Sequence, residues 1–298
     1  MHSIQIIEAN TTLHLPESAP ELNREQTIAF SRLLLLFQQA QLTYYQFRVK
    51  LVYALLNLKR TATIKNNDFD NPIVDNVNQI AKLIDTFFTD EIKEGKTYKI
   101  PKMEFIHQKL PTITVDKQIF YGPTDALFNT VYGEYLQVLT HFNNFSTTNN
   151  ESDLDLMIAT IYRPSKHMAT LYMDKRKKFD NQLTEHYSKT IAKLPFHVKY
   201  AIYLYVASSQ HFIVNNDALD IGNGNTVDLT ILFQKEDNTN PTKNNLGLVG
   251  TLYSIAETNV FGNVNEVANH NTYDILCFLA QKTAEYNKLK TNNNASIT

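Results

Sequence analysis

The chain has 298 residues, 43% of them hydrophobic, and a formal net charge of −2. This length and apolar content suffice to bury the core of one large domain or two of ordinary size. A charge so close to zero excludes the strong positive field typical of proteins that bind nucleic acid or anionic lipid, so we expect neither partner.

A single cysteine, Cys277, excludes an intrachain disulfide and fits a reducing compartment. Its spacing from Tyr273 and Ala280 indicates one apolar helix face, so we interpret it as a small buried hydrophobe rather than a reactive thiol. The N-terminus MHSIQIIEAN lacks the pattern of a secretory signal. The run LLLLF at 33–37 is far shorter than the roughly 20 apolar residues that span a bilayer. These features predict a soluble, cytosolic protein.

The N-terminal part of the chain predicts a hairpin followed by helices. Short apolar runs at 4–7 and 12–15 favour an antiparallel pair. A near match to a capping box, Asn23 with Gln26, begins a helix that we expect to reach about Gln41. The next helix, over 43–58, has two apolar faces, which predicts packing on both sides and a central position.

Further along, the polar segment 60–72 predicts a loop, and a helix is expected over about 74–90. The segments TYKI (97–100) and TITV (112–115) are β-like and are expected to join the N-terminal runs in a small sheet or ribbon. After Gly122 the periodicity is helical, over 124–144, 152–162, 179–193, 196–214, 246–258 and 272–290.

The fold class predicted is mainly α, a helical bundle-like domain with a small β hairpin or ribbon element near the N-terminus and around 97–119. Residues 1–120 form the N-terminal helical region with minor β structure in this interpretation. Residues 121–290 form a C-terminal helical region packed with it as one unit. The polar end, 291–298, is expected to be a flexible tail.

The stretch GPTDALFNTVYGEYLQVLTHF (122–142) lacks the glycine and lysine pattern of a phosphate-binding loop. Its proline and Asp125 suit the start of a helix. A core stripe follows at offsets of three and four, while Tyr132, Glu134 and His141 lie off that stripe. A capped structural helix is therefore favoured over a phosphate-binding or catalytic site. The stripe is Leu127, Val131, Tyr135, Val138 and Phe142.

No segment of the sequence matches the residue spacing of a metal site or a catalytic site. In the oxygen-rich segment 215–228, a calcium loop centred on Gly222 would place Leu219 and Ile221 at ligand positions, so we predict a glycine- and asparagine-rich turn instead. Two histidines on one helix face, His197 and His211, would lie about 21 Å apart, too far for one ion. The helix dipole accounts for the acids at the start of the 152–162 helix, Asp153 and Asp155. We expect no metal, no cofactor and no enzymatic activity.

Four segments in this order resemble a family encoded among the tail-assembly genes of tailed bacteriophages. The segments are QIFYGPTDALFNTVYGEYLQ, DLDLMIATIYRPSK, LPFHVKYAIYLYVASSQHFI and VGTLYSIAETNVFGNVNEVANHNTYDILCFLAQKTAEYNK. The resemblance implies a tail-assembly chaperone or another virion-morphogenesis protein, and it implies no functional residues.

The function expected is thus a non-enzymatic phage assembly protein, a chaperone or adaptor that binds other tail or virion proteins in the host cytoplasm. One alternative is a structural component of the virion, such as a connector, tail or baseplate part. A second is an enzyme with scattered active-site residues. Another copy of the chain is a further candidate partner.

Four residues are candidate partner contacts: Arg163, Lys175, Arg176 and Tyr286. Arg163 follows a helix that Pro164 ends, and either anchors to a carboxylate inside the fold, which we favour, or reaches a partner. The basic run 175–178 is a solvated loop or, less favoured, a contact for an acidic partner. Tyr286 lies in the second half of the C-terminal helix, which we expect to project while the first half packs in the core.

Overall fold

The computed structural model describes residues 1–6, 10–59, 72–233 and 247–295. The chain is 56% helical and 17% strand, and its described residues form ten α-helices and four small sheets. The mainly α, bundle-like fold predicted from the sequence is therefore wrong, since the fold is mixed α and β. Strands such as FTDEIK at 88–93 are short and charged, and they lack the alternating apolar signal that marks a half-buried strand.

The helices alternate with small β elements along the chain. They are α1 (Arg24–Gln38), α2 (Tyr44–Leu55), α3 (Pro72–Lys82), α4 (Tyr132–Thr148), α5 (Glu151–Ile161), α6 (Asn181–Ile191), α7 (Phe196–Val214), α8 (Gly247–Thr258), α9 (Val264–Asn269) and α10 (Thr272–Ala295).

All the strand pairs in the described residues are antiparallel. The sheets have the orders β1-β2, β3-β4, β5-β6-β7 and β8-β9. The strands are β1 (His2–Ile6), β2 (Thr11–Leu15), β3 (Phe88–Lys93), β4 (Lys96–Pro101), β5 (Thr112–Val115), β6 (Gln118–Tyr121), β7 (Arg163–Pro164), β8 (Leu219–Gly222) and β9 (Asn225–Val227).

The chain divides into two compact units. Unit 1 comprises Met1–Leu110 and Leu194–Tyr205, and unit 2 comprises Pro111–Lys193 and Val206–Thr298. The tail predicted at 291–298 falls partly on α10, which continues to Ala295, and its last residues, 296–298, lie outside the described residues.

In unit 1 the predicted N-terminal hairpin is confirmed, with Ile4 paired to Leu13 in the β1-β2 register. The capping box of α1 is also present. The Asn23 side chain accepts a hydrogen bond from the Gln26 backbone, and Gln26 Oε1 accepts one from the Asn23 backbone, both at 2.9 Å. These features were predictable because the capping box joins residues three positions apart and the hairpin pairs two runs that follow each other in the chain. The loop predicted at 60–72 lies almost wholly outside the described residues.

The core of unit 1 is built around Phe30, whose ring centroid lies 5.2 Å from that of Phe105 and 5.3 Å from that of Phe87. One face of α2 packs fully into this core, through Phe47, Leu51, Val52 and Leu55. The other face is only partly covered, since Tyr45 is exposed. The second face is nevertheless packed in part, since Val49 and Leu56 lie against the same core, so the predicted burial on both faces fails only at Tyr45.

The strands that the sequence did identify in this region pair with unexpected partners. TYKI lies in β4 and pairs with β3, and TITV forms β5 and pairs with β6. The single sheet or ribbon predicted from these segments and the N-terminal runs is replaced by separate hairpins. The segment predicted as a turn at 215–228 likewise holds the β8-β9 hairpin, and the short α9 was not predicted.

In unit 2 the helix predicted from 124 begins only at Tyr132. Ala126 and Leu127 have positive φ values of 48° and 62°, which interrupt a right-handed helix. Long-range bonds then set the helix start, because the Thr130 carbonyl accepts from the Thr272 backbone at 3.0 Å, and the two threonine hydroxyls lie 3.0 Å apart in the interior. The starts of α4 and α10 are thereby held together.

The first half of α10 packs in the interior through Tyr273, Ile275, Leu276 and Ala280. Farther along, Tyr286 and Leu289 are exposed. The prediction of a packed first half and a projecting second half is confirmed. Cys277 is only half-buried, and burial, followed by the charge of Asp274, raises the pKa of its thiol.

Candidate functional site

Residues 163–178 of unit 2 form two arms whose ends lie side by side, and we call this segment the 163–178 hairpin. The Lys177 backbone donates to the Pro164 carbonyl, and the Lys166 backbone donates to the Lys175 carbonyl, both at 2.9 Å. The outgoing arm begins as β7, the third strand of the β5-β6-β7 sheet. Backbone pairing therefore fixes both arms at the base of the hairpin.

Four charged side chains meet at this base and form the buried cluster: Glu134, Arg163, Asp174 and Arg176. One carboxylate oxygen of Glu134 lies 2.8 Å from Arg163 Nη1 and 2.7 Å from Arg176 Nη1. Arg176 also makes a two-point contact with Asp174, with Nε 3.0 Å from Oδ1 and Nη2 3.0 Å from Oδ2. Two guanidinium groups are thus balanced by two carboxylates.

Backbone carbonyls satisfy further donors of the two arginines. Arg163 donates to the carbonyl of Thr160, and Arg176 donates to those of Ile161 (3.2 Å) and Asn129 (2.9 Å). Relative exposure is 4% for Arg163 and 2% for Arg176. Buried charges are stable only when paired and hydrogen-bonded in this way, so the cluster anchors the hairpin in the domain.

The protonation of Asp174 supports the same conclusion. Burial alone would raise the pKa of Asp174, but its hydrogen bonds to Arg176 and the positive charge there outweigh that effect and hold the pKa below the ordinary value. An ionised Asp174 is the form that pairs with a guanidinium.

The structure separates the four candidate partner contacts. Arg163 and Arg176 both point into the buried cluster, so Arg163 takes the internal role, and the solvated-loop interpretation is wrong for Arg176. Lys175 remains exposed on the hairpin, and Tyr286 is exposed on α10, a different element. Glu134, which sequence reasoning placed off the core stripe, is 1% exposed and joins the cluster.

The end of the hairpin exposes a group of large apolar side chains that we call the apolar tip: Met168, Leu171, Tyr172 and Met173. Leu171 is 74% exposed and Met173 is fully exposed. Lys166 lies over the Tyr172 ring, with its Nζ 3.9 Å from the ring centroid. Sequence reasoning missed the tip, although a non-periodic run of large apolar residues between Pro164 and the basic run was a usable signal.

Lysines border the apolar tip at its base. Lys175, Lys177 and Lys178 are exposed on the returning arm, and Lys166 is half-buried on the outgoing arm. The tip is therefore an apolar surface with a basic rim. Proteins rarely expose several large apolar side chains together unless the surface contacts another molecule.

The two acids near the start of α5, Asp153 and Asp155, are not members of the buried cluster. Asp153 is in the first turn of α5, where the helix dipole favours it, and its Oδ1 lies 3.6 Å from His141 Nδ1. Asp155 is buried. Within the described ranges, no three His, Cys, Asp or Glu side chains are grouped so that they could hold a metal ion.

None of the helices in the described part of the chain is both long enough and apolar enough to cross a bilayer. No protein-family model matches the chain, and no curated protein and no solved structure shows significant similarity to it.

Proposed function

We propose that this chain is a non-enzymatic docking protein that presents the apolar tip of the 163–178 hairpin to a protein partner. The observation that carries the proposal is the exposure of four large apolar side chains on a segment whose base is locked by the buried cluster. Folding within the chain gains nothing from leaving these side chains in water, whereas burial in a partner gains about 1.5–3 kcal/mol for each large side chain.

The composition of the tip suits recognition. Methionine is unbranched and adapts to irregular surfaces, and tyrosine is enriched at protein interfaces. A base fixed by ion pairs and backbone pairing lowers the entropy lost when the hairpin binds, because fewer degrees of freedom must be ordered. These properties favour docking over catalysis as the role of this surface.

The resemblance to tail-assembly proteins supplies the process in this proposal. We propose that the partner is another tail or virion protein of a bacteriophage and that the chain acts as an assembly chaperone or adaptor. Such a protein is missing from purified particles, whereas a structural component is present in fixed copy number. Mass spectrometry of the mature particle separates these two roles.

The docking function is tested by purifying the tagged chain from infected cells together with what it binds. We compare the wild type with Leu171→Ser/Met173→Ser, and the control is Ile92→Ser, which alters an equally exposed residue in β3 of unit 1. We expect a virion protein to accompany the wild type and the control but not the tip variant. Equal recovery with the tip variant would contradict the proposal.

A further inference from the structure

We infer that the apolar tip of one copy docks on the β8-β9 hairpin of a second copy, so that the chain associates head to tail. This inference rests on the proposed docking function, and it names another copy of the chain, rather than a different virion protein, as the partner. The two surfaces carry opposite charges, each exposes apolar side chains, and both belong to unit 2.

The β8-β9 hairpin carries the charge opposite to that of the tip. From Phe212 to Phe233 the sequence contains no lysine and no arginine. Three carboxylates lie in this segment, Asp217, Asp220 and Asp228, and all three residues are exposed. Exposed lysines on the 163–178 hairpin and exposed aspartates here are complementary, which favours encounter and fixes orientation.

An exposed apolar side chain, Ile221, directly follows one of these acids, Asp220. Ile221 is 53% exposed. The register of the β8-β9 pair passes from Asp220 opposite Thr226 to Gly222 opposite Asn225, so Ile221 is the extra residue of a bulge. Bulges re-aim a side chain, and this one displays isoleucine on an otherwise polar hairpin. The hairpin therefore combines an exposed apolar side chain with exposed carboxylates, as the tip combines exposed apolar side chains with lysines.

The two surfaces differ, so each copy would use one surface for each neighbour. A contact of this heterologous kind produces a ring when the rotation closes and an open filament when it does not. The inference therefore predicts oligomers of more than two copies, and it predicts that salt weakens them by screening the rim charges.

The purified chain supplies both surfaces, so its self-association tests the inference directly. Sedimentation velocity over a concentration series compares the wild type with two charge variants. One is Lys175→Glu/Lys177→Glu/Lys178→Glu, and the other is Asp217→Lys/Asn225→Lys/Thr226→Lys. The second variant leaves Asp220 and Asp228 in place, because their carboxylates accept backbone hydrogen bonds from Gly222 and Thr230.

We expect the wild type to associate in low salt and to dissociate in high salt. Either variant alone should associate more weakly by more than about tenfold in Kd, because like charges then face each other. An equimolar mixture should associate again, since each reversed surface meets its complement. A monomeric wild type at every concentration, or a mixture that stays monomeric while both variants are folded, would overturn the inference.

Two further comparisons cover a charge variant that does not fold and a wild type that does not associate. If a charge variant proves unfolded by circular dichroism, Ile221→Ser and Leu171→Ser replace it, and association that persists in both overturns the inference. If the wild type is monomeric but the tip variant still loses its virion protein, the docking function stands and self-association falls. If the wild type associates independently of salt and of every variant, the inference falls as well.

Discussion

Glu134 shares one carboxylate oxygen between two arginines, and its side chain is almost completely buried. Glu134→Gln keeps the shape but leaves an excess positive charge in the interior. Removing one partner of a buried ion pair costs about 3–5 kcal/mol, so we expect a loss of that size in the free energy of unfolding. Urea denaturation followed by circular dichroism measures it.

The matched control for this prediction is Glu185→Gln, which changes an exposed glutamate on α6. Exposed substitutions usually alter stability by no more than about 0.5 kcal/mol. A loss equally small in Glu134→Gln would contradict the anchoring role of the cluster.

A second single residue, His141, is expected to make the free energy of unfolding depend on pH. Burial lowers the pKa of His141 below 6.5, although its contact with Asp153 opposes the shift. The unfolded chain therefore binds the proton more readily, so the free energy of unfolding should fall as the pH drops below 6.5, until the pKa of the folded state is passed.

His141→Asn should reduce this loss of stability between neutral and mildly acidic pH, as measured by melting temperature across that range. Some loss should remain, because burial, with the charge of Arg32, also lowers the pKa of His197 in unit 1. The control His167→Asn changes an exposed histidine and should keep the wild-type slope. An unchanged slope in His141→Asn would show that burial of this ring has no effect on stability.

Among the elements, α2 was predicted from its periodicity, and only the burial of its outer face was overestimated. Leu55 is 4% exposed on the inner face, whereas Leu58, just beyond the helix, is 43% exposed. Leu55→Ala should lower the free energy of unfolding by about 2–5 kcal/mol through lost burial and a cavity. Leu58→Ala should cost much less, and similar losses in both would contradict the assigned face. Chemical denaturation measures both variants.

The helix α10 allows a test by truncation. A chain ending at Lys290 keeps the buried residues of the first half and should melt like the wild type, because the removed part has no apolar pattern to bury. A chain ending at Thr272 loses Tyr273, Ile275, Leu276 and Ala280 from the interior and should fail to fold unit 2. Thermal melts followed by circular dichroism report both. A cooperative 1–272 chain of unchanged stability would contradict the packing role of α10.

For the molecule as a whole, we expect stability to be independent of metal. Within the described residues, no set of ligands is grouped for an ion. Prolonged treatment with a chelator should leave the melting temperature unchanged, because no binding energy to the folded state is then lost. Elemental analysis that finds a stoichiometric transition metal in the purified protein would overturn this expectation.

Local signals determined the elements that depend on neighbouring residues. The Asn23 capping box, the N-terminal hairpin and the two halves of α10 each depend on residues a few positions apart. Hairpin strands with charged or polar residues, such as β3 and β9, gave too weak a periodic signal to be found. Their pairing depends on turns and on neighbours in space rather than on composition.

Only the tertiary structure decided the candidate site. Glu134 pairs with Arg163 29 positions away and with Arg176 42 positions away. A basic run is normally a solvated surface, because burying a positive charge is costly unless a carboxylate pairs with it in the interior. No local sequence pattern reveals that carboxylate. The fold supplied it by bringing α4, β7 and the returning arm of the hairpin together. The same contacts buried Arg176, left its lysine neighbours in water and placed the apolar tip beyond them.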